Sequence, residues 1–250
     1  MRSFVCVCTG NKYPDQYVNI LYNMVSRHTS NFTFYCVTDQ PRGLKPEIQQ
    51  VIIKDVFPTW WNKVHIFNKD MPFQGTVLYL DLDVVIFRSI EKLWDFSPNN
   101  FAIIQDFNRC RIKNYHVKNS SAMKWMHGKY HHLYEKFCNS QNDIMRRYRG
   151  DQDYLTAEVK DAVTWPTTWI MSYKWEIGLE PGEQKNSPND KFVTQRYSVV
   201  TETVIKNGQK IIREKKVKHN LPDDCAIAVF HGKPNPAAIT KDPLVIDNWR

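Results

Sequence analysis

The stretch LYLDLDVV, residues 78–85, combines a strong strand pattern with two closely spaced acidic residues. Apolar residues lead directly to Asp81 and Asp83, which predicts a buried strand that ends in two carboxylates. Residues i and i+2 of an extended backbone face the same side, so both side chains are expected to converge at the carboxyl end of the strand. Two like charges held together are unfavourable unless a cation or a shared proton compensates them. The pair therefore indicates a site for Mn²⁺ or Mg²⁺, whose shell substrate phosphates would complete.

The carboxylate pair alone leaves two other interpretations open. It could be a solvated turn after a strand. It could also belong to a phosphatase of the haloacid-dehalogenase type, with Asp81 as nucleophile and Asp83 as acid and base. That family usually opens with this strand and later supplies a lysine and a second acidic motif, whereas other candidate strands precede residues 78–85 here.

The residues on either side of this stretch predict strands that alternate with helices. Strand patterns cover residues 3–8, 32–37, 51–53, 76–80, 101–105 and 225–230, and helical patterns cover residues 17–25, 61–68, 130–137 and 152–159. Such alternation is typical of an α/β fold, a Rossmann-like and mainly parallel sheet with helices on both faces. Sheets of this kind bind ligands beyond the carboxyl ends of their strands, which is where Asp81 and Asp83 stand.

Residues 182–220 differ from the rest of the chain. Two β-prone segments, 197–205 and 209–217, flank Asn207-Gly208, and this dipeptide is the strongest short hairpin signal. We therefore predict one domain over residues 1–250 with a hairpin inserted at about 182–220. The hairpin is basic, and its cationic residues are Lys206, Lys210, Arg213, Lys215, Lys216 and Lys218. This pattern fits either a solvated face or peripheral contact with an anionic acceptor or membrane surface.

Composition narrows the class of protein. The chain has 250 residues and a formal charge of +8, with 42% hydrophobic and 24% charged residues, which is ordinary globular usage. No nucleic-acid recognition motif accompanies the charge, so no nucleic-acid partner is expected. The sequence contains neither an apolar run long enough to span a bilayer nor the pattern of a signal peptide, and its six cysteines form no CxxC pair. We expect a cytoplasmic protein without a transmembrane segment; the pattern leaves oligomerisation open.

A set of short stretches, taken in order, resembles the glycogenin-like, family 8 glycosyltransferases. The first three resemble the donor-site region of that family, and the second of them surrounds the carboxylate pair. The stretches are residues 62–65, 77–87, 89–95, 118–123, 150–155 and 230–234. Together they span most of residues 4–236, and their order is more specific than any one of them.

This resemblance implies a GT-A type fold, a nucleotide-diphosphate sugar donor and Mn²⁺. It assigns metal binding to Asp81, Asp83 and His231, with Asp81 also near the ribose. It places Lys63 and Lys233 at the diphosphate and Thr9 and Tyr13 at the base. Asn119, Ser120, Asp151 and Gln152 would surround the sugar, the last two as the catalytic pair.

The predicted function is a metal-dependent glycosyltransferase that moves a sugar from a UDP-sugar to a glycan, lipid-linked or protein acceptor, with retention of anomeric configuration. Retention follows from the resemblance. The resemblance also places Trp165 and Trp169 near an acceptor cleft, although core packing explains either ring equally well. A DxD phosphatase and a non-catalytic carbohydrate-binding protein are the alternatives.

Overall fold

The computed structural model describes residues 1–110, 112–177, 197–206, 209–218 and 221–250. Within these ranges the strands are β1 (Arg2–Cys8), β2 (Thr33–Thr38), β3 (Ile48–Ile52), β4 (Thr76–Leu80), β5 (Val84–Ile86), β6 (Ala102–Gln105), β7 (Lys118–Met126), β8 (Val163–Thr164), β9 (Ile170–Ser172), β10 (Tyr197–Lys206), β11 (Gln209–Lys218) and β12 (Ile227–Val229). The α-helices are α1 (Asp15–His28), α2 (Glu91–Asp95), α3 (His131–Asn139), α4 (Gln141–Arg147), α5 (Asp151–Glu158) and α6 (Pro243–Ile246). A 3₁₀ helix, Thr59–Phe67, stands where an ordinary helix was predicted.

Seven strands form the central sheet in the order β3-β2-β1-β4-β7-β6-β8. The pairings of β1 with β2 and β4, of β2 with β3, and of β6 with β8 are parallel, whereas β7 is antiparallel to both of its neighbours. The sheet is therefore mainly parallel, as predicted. Strand β7 was not predicted, because its polar start and an internal lysine hide the strand pattern.

Helices cover both faces of this sheet. Successive side chains of a strand point to opposite sides, and apolar residues on both sides of these strands are buried against helices. Phe4 and Cys6 of β1 pack in one core with Leu21 and Met24 of α1. The opposite face, which includes Val5, forms a second core that the 3₁₀ helix, α3 and α5 cover. The predicted α/β architecture with helices on both faces is confirmed.

The chain leaves the large sheet at the two predicted carboxylates. Strand β4 ends at Leu80, and β5 then joins a three-stranded sheet in the order β5-β12-β9. The backbone N–H of Asp81 donates to the carbonyl of Ser121 in the large sheet, and the carbonyl of Asp83 accepts from the N–H of Phe230 beside the small one. Asp81 and Asp83 thus lie in the connection between two sheets rather than within one continuous strand.

The predicted hairpin strands pair antiparallel, with Tyr197 opposite Lys218 and Lys206 opposite Gln209. Its turn residues, Asn207 and Gly208, lie outside the described residues, as do residues 178–196 and 219–220 on its flanks.

All six cysteines are free thiols. None of the helices in the described ranges has the length and apolar character needed to cross a membrane.

Candidate active site

A cavity of about 440 Å³ opens beyond the carboxyl end of β4. This volume lies within the range typical of small-molecule sites. Most of the site residues predicted from the sequence line it: Lys63, Asp81, Asp83, Asn119, Ser120, Asp151, Gln152 and His231. Residues far apart in sequence therefore meet at the edge of the sheet where the strand pattern placed the carboxylate pair.

Lys63, Asp81, Asp83, Ser120 and Asp151 form what we call the floor of the cavity, and Lys63 links three of the other side chains. The 3₁₀ helix carries this buried lysine, whose Nζ lies 3.1 Å from both Asp81 Oδ1 and Asp151 Oδ2. Nζ also donates to Ser120 Oγ at 3.0 Å, and that hydroxyl donates to Asp151 Oδ2 at 2.6 Å. Burial alone would lower the pKa of Lys63, but the carboxylates of Asp151 and Asp81 raise it. The ammonium group therefore stays charged and holds both carboxylates in place.

Asp83 lies in a different environment from Asp81, although the two belong to one cavity. Asp81 Oδ1 accepts from the hydroxyl of buried Tyr79 as well as from Lys63. Asp83 Oδ2 accepts from the hydroxyl of Tyr13 at 2.9 Å. Burial and the nearby charge of Asp81 raise the pKa of Asp83 to about 6. Asp83 thus carries a charge that its protein surroundings compensate poorly.

These two carboxylates fit a divalent cation, since hard cations prefer oxygen ligands and leave positions open for phosphates. His231 faces the same cavity, but its Nε2 lies 2.6 Å from Ser172 Oγ. Its ring contacts those of Phe107, at 5.4 Å between centroids, and Trp175, at 4.3 Å. In the described part of the chain no three His, Cys, Asp or Glu side chains form a group that could hold a metal ion. The two aspartates fit the cation, whereas the predicted three-ligand set is not assembled.

Three of the predicted donor-site residues lie outside the cavity lining. Thr9 Oγ1 accepts from Asn62 Nδ2 at 3.1 Å, and Tyr13 is bonded to Asp83. Lys233 is exposed, and its carbonyl accepts from Lys174 Nζ. Tyr13 thus borders the carboxylate pair, Thr9 is linked to Asn62 of the 3₁₀ helix, and Lys233 is exposed.

The structure adds a buried carboxylate that the sequence pattern did not single out. Asp106 Oδ2 accepts from Asn119 Nδ2 at 3.3 Å, and its Oδ1 accepts from the backbone N–H and the side chain of Asn108. Asn119 Oδ1 in turn accepts from the N–H of Ser121 at 2.9 Å. Asp106 follows β6 as Asp81 follows β4, so its position after a predicted strand was the available signal.

For Trp165 and Trp169 the sequence left both an acceptor cleft and core packing open. Trp165 is buried, and the partly buried Trp169 packs against the core beside Phe96. Neither lines the cavity, so core packing explains both rings. Trp60 lines the cavity instead and is 54% exposed.

Comparisons with known proteins support the same architecture. No protein-family model matches the sequence, and no curated protein gives a significant match. Among solved structures, galactosyltransferase LgtC in complex with donor and acceptor sugar analogs is 12% identical, with a TM-score of 0.61 over 98% of this chain and 96% of that chain. An active-site mutant of LgtC, also 12% identical, gives a TM-score of 0.58 over 94% of this chain and 89% of that chain.

A second glycosyltransferase, GlyE of Streptococcus pneumoniae TIGR4, is 14% identical, with a TM-score of 0.55 over 69% of this chain. The match spans about half of the GlyE chain, 48%. This chain has the fold of these glycosyltransferases. The GT-A type fold that the family 8 resemblance implied is confirmed.

Proposed function

We propose that this protein is a metal-dependent glycosyltransferase that transfers a sugar from a UDP-sugar to an acceptor, with retention of anomeric configuration. The observation that carries the proposal is the cavity at the end of β4, where Asp81, Asp83, Lys63, Asp151 and Gln152 face one space. A fold alone does not establish a function. The chemistry of these side chains supplies the independent support.

The charges of the cavity suit a nucleoside diphosphate in the presence of a dication. Asp81 and Asp83 would hold Mn²⁺ or Mg²⁺, and we propose His231 as a third ligand once it leaves Ser172. The chemistry that a bound dication supplies is stabilisation of the negative charge on the departing diphosphate. Lys63 and Lys233 would bind the diphosphate, and Thr9 and Tyr13 the base. At the metal-free floor, Lys63 is the partner of Asp81 and Asp151 but the charge of Asp83 is poorly compensated, so binding of an anionic donor should require the cation.

The remaining side chains would orient the transferred sugar. Asn119 and Ser120 are held by Asp106 and Asp151, which fixes their polar atoms at the cavity wall. Asp151 is engaged by Lys63 and Ser120, and these bonds stabilise its anion and weaken it as a nucleophile. The Gln152 amide lines the cavity without a side-chain hydrogen bond to any described residue. We therefore assign Asp151 and Gln152 to the sugar without a covalent intermediate.

Turnover of the donor tests this function. Incubation with Mn²⁺ and UDP-glucose, UDP-galactose or UDP-N-acetylglucosamine should release UDP from at least one donor, with EDTA as the control. Proton NMR should show the α-anomer of the free sugar first, because these donors are α-linked. A β-anomer would contradict retention. Phosphate release from p-nitrophenyl phosphate, with no UDP from any donor, would instead support the phosphatase.

A further inference from the structure

Trp60 stands at the outer end of the same helix face that carries Lys63. In a 3₁₀ helix, residues i and i+3 eclipse one another, so Trp60 and Lys63 project on one side. Lys63 is buried among the carboxylates of the floor, whereas Trp60 is 54% exposed, and both line the cavity. The adjacent Trp61 is 4% exposed and stacks on Phe137. Of these two neighbouring rings, the first faces the opening.

The exposed ring packs against the chain below it. A Cβ atom added to Gly150 would lie 2.9 Å from Trp60 Nε1 and 3.4 Å from its Cδ1, so the indole edge rests on the backbone of Gly150. Gly150 directly precedes Asp151, which reaches the floor of the cavity. A glycine at this position leaves the space that the ring occupies.

The backbone that leads into Trp60 is also held tightly. Buried Asn62 accepts from the N–H of Phe57 at 2.7 Å and donates to the carbonyls of Phe57 and Thr59. Thr59 has a φ of 51°, a left-handed conformation that is unusual for a residue other than glycine. Such strain persists where the surrounding contacts fix the backbone, as they do here. A preorganised, exposed aromatic surface is well suited to ligand binding.

The charges beside Trp60 indicate the kind of ligand. Arg149 Nε lies 2.9 Å from Asp153 Oδ2, so the two charges of the rim compensate each other. The balanced rim therefore gives no preference for an anionic group beside Trp60. A flat aromatic face with neutral polar surroundings fits the apolar face and hydroxyls of a pyranose ring.

We propose that Trp60 is the binding platform for a neutral sugar at the acceptor end of this cavity, with Arg149 and Asp153 as its hydrogen-bonding rim. This inference rests on the proposed function for its description as an acceptor site. It gives the acceptor a chemical class, a glycan whose terminal pyranose is uncharged. It also replaces the tryptophans that the sequence resemblance placed near an acceptor.

Fluorine NMR of protein labelled with 5-fluorotryptophan tests the proposal, with maltose, lactose and cellobiose as probes. The chain has eight tryptophans, and Trp60→Phe and Trp169→Phe identify two of the resonances. At least one disaccharide should shift the Trp60 resonance saturably in the millimolar range and leave the Trp169 resonance unchanged. Failure of all three disaccharides to move the Trp60 resonance would overturn the proposal.

Variants give a second readout by saturation transfer from protein to sugar. Trp60→Ala should weaken disaccharide binding roughly 30-fold, which corresponds to about 2 kcal/mol, and Trp60→Phe should retain part of the binding. The control, Trp169→Phe, should bind as the wild type does. Equal binding by wild type and Trp60→Ala would place the sugar elsewhere and overturn the proposal. Sugar binding at Trp60 without any response of the wild type to UDP and Mn²⁺ would keep this inference and remove the transferase function.

Discussion

When no metal is bound, ionisation of the Asp83 carboxylate should lower the stability of the folded protein. Its pKa is raised to about 6 by burial and by Asp81, whereas an unfolded aspartate has a pKa of about 3.9. The folded protein therefore binds the proton more tightly than the unfolded chain. The stability that this proton contributes is complete below about pH 4 and is lost as the pH rises through about 6.

This reasoning predicts a difference between wild type and Asp83→Asn in EDTA. Relative to the wild type, the variant should gain about 1 to 2 kcal/mol in unfolding free energy between pH 4 and pH 7, because it no longer has a carboxylate to ionise. Denaturant titrations at several pH values measure this. Asp70→Asn, at an exposed carboxylate, is the matched control and should follow the wild type. If the unfolding free energies of wild type and Asp83→Asn change with pH in the same way, the pKa of Asp83 is not raised by folding.

Lys63 gives a second prediction at the scale of a residue. Lys63→Met removes the ammonium and leaves the carboxylates of Asp81 and Asp151 without their shared cation. The loss of one partner from a buried ion pair typically costs 3–5 kcal/mol, so we expect a loss of about 3 kcal/mol at pH 7. Lys54→Met, at an exposed site, should change stability by less than about 0.5 kcal/mol; an equally small effect of Lys63→Met would mean that its charges are well solvated.

At the scale of elements, one ion pair links two short segments around His231. Arg109 Nη2 contacts both carboxylate oxygens of Glu176, at 2.8 and 3.0 Å. Glu176 also accepts from the N–H of Ser172, whose hydroxyl meets His231. The segments 107–110 and 173–177 supply the rings of Phe107 and Trp175 that contact His231. Arg109 thus supports the position of His231 through Glu176 and Ser172.

Arg109→Gln should therefore loosen both segments while the central sheet stays folded. Hydrogen exchange measured by mass spectrometry should increase in peptides that cover residues 106–110 and 170–177, and stability should fall by up to about 3 kcal/mol. Arg146→Gln is the control, since the pair of Arg146 with Asp143 is exposed and should contribute little. Unchanged exchange around His231 would show that its position does not depend on this ion pair.

The elements also show which parts of the fold sequence patterns can predict. Strand β4 was predictable because its apolar residues are continuous up to Asp81. Strand β7 was not, because it begins with polar residues and contains Lys124, which is fully buried. Lys124 Nζ donates to the carbonyls of Trp94, Phe96 and Ser97, so distant backbone compensates its charge. A local pattern cannot reveal that compensation.

The candidate site shows the same limit. Pattern and resemblance were enough to find the carboxylate pair and Lys63. They also found Asn119, Ser120, Asp151 and Gln152, and the fold brings all of these side chains to one cavity. Trp60 and Trp61 could not be told apart, since helical periodicity does not state which of two adjacent rings meets the core. The bond from Ser172 to His231 depends on β9 and β12 being neighbours, which no local sequence signal encodes.

For the whole molecule, the basic hairpin is the part whose role is argued from charge alone. Its run of cationic residues predicts attraction to an anionic surface. This attraction should weaken as salt is added, because the Debye length falls to about 8 Å at an ionic strength of 0.15 M. The double variant Lys215→Glu and Lys216→Glu should lose cosedimentation with phosphatidylserine vesicles at low salt. Lys54→Glu with Lys69→Glu, two exposed positions outside the hairpin, is the charge-matched control. Equal vesicle binding by wild type and both variants across a salt titration would leave the run as a solvated face.

The central claim is that the cavity at the end of β4 binds a nucleoside diphosphate together with a divalent cation. Thermal unfolding of wild type and Asp83→Asn, with UDP and Mn²⁺ separately and together, tests it most directly. A ligand at 100 times its Kd stabilises a protein by about 2.7 kcal/mol, which should raise the Tm of wild type by about 5 °C or more when both are present. UDP alone should have little effect, and Asp83→Asn should show no joint response. Equal shifts in the two proteins, or a wild-type response to UDP that does not depend on Mn²⁺, would contradict the claim.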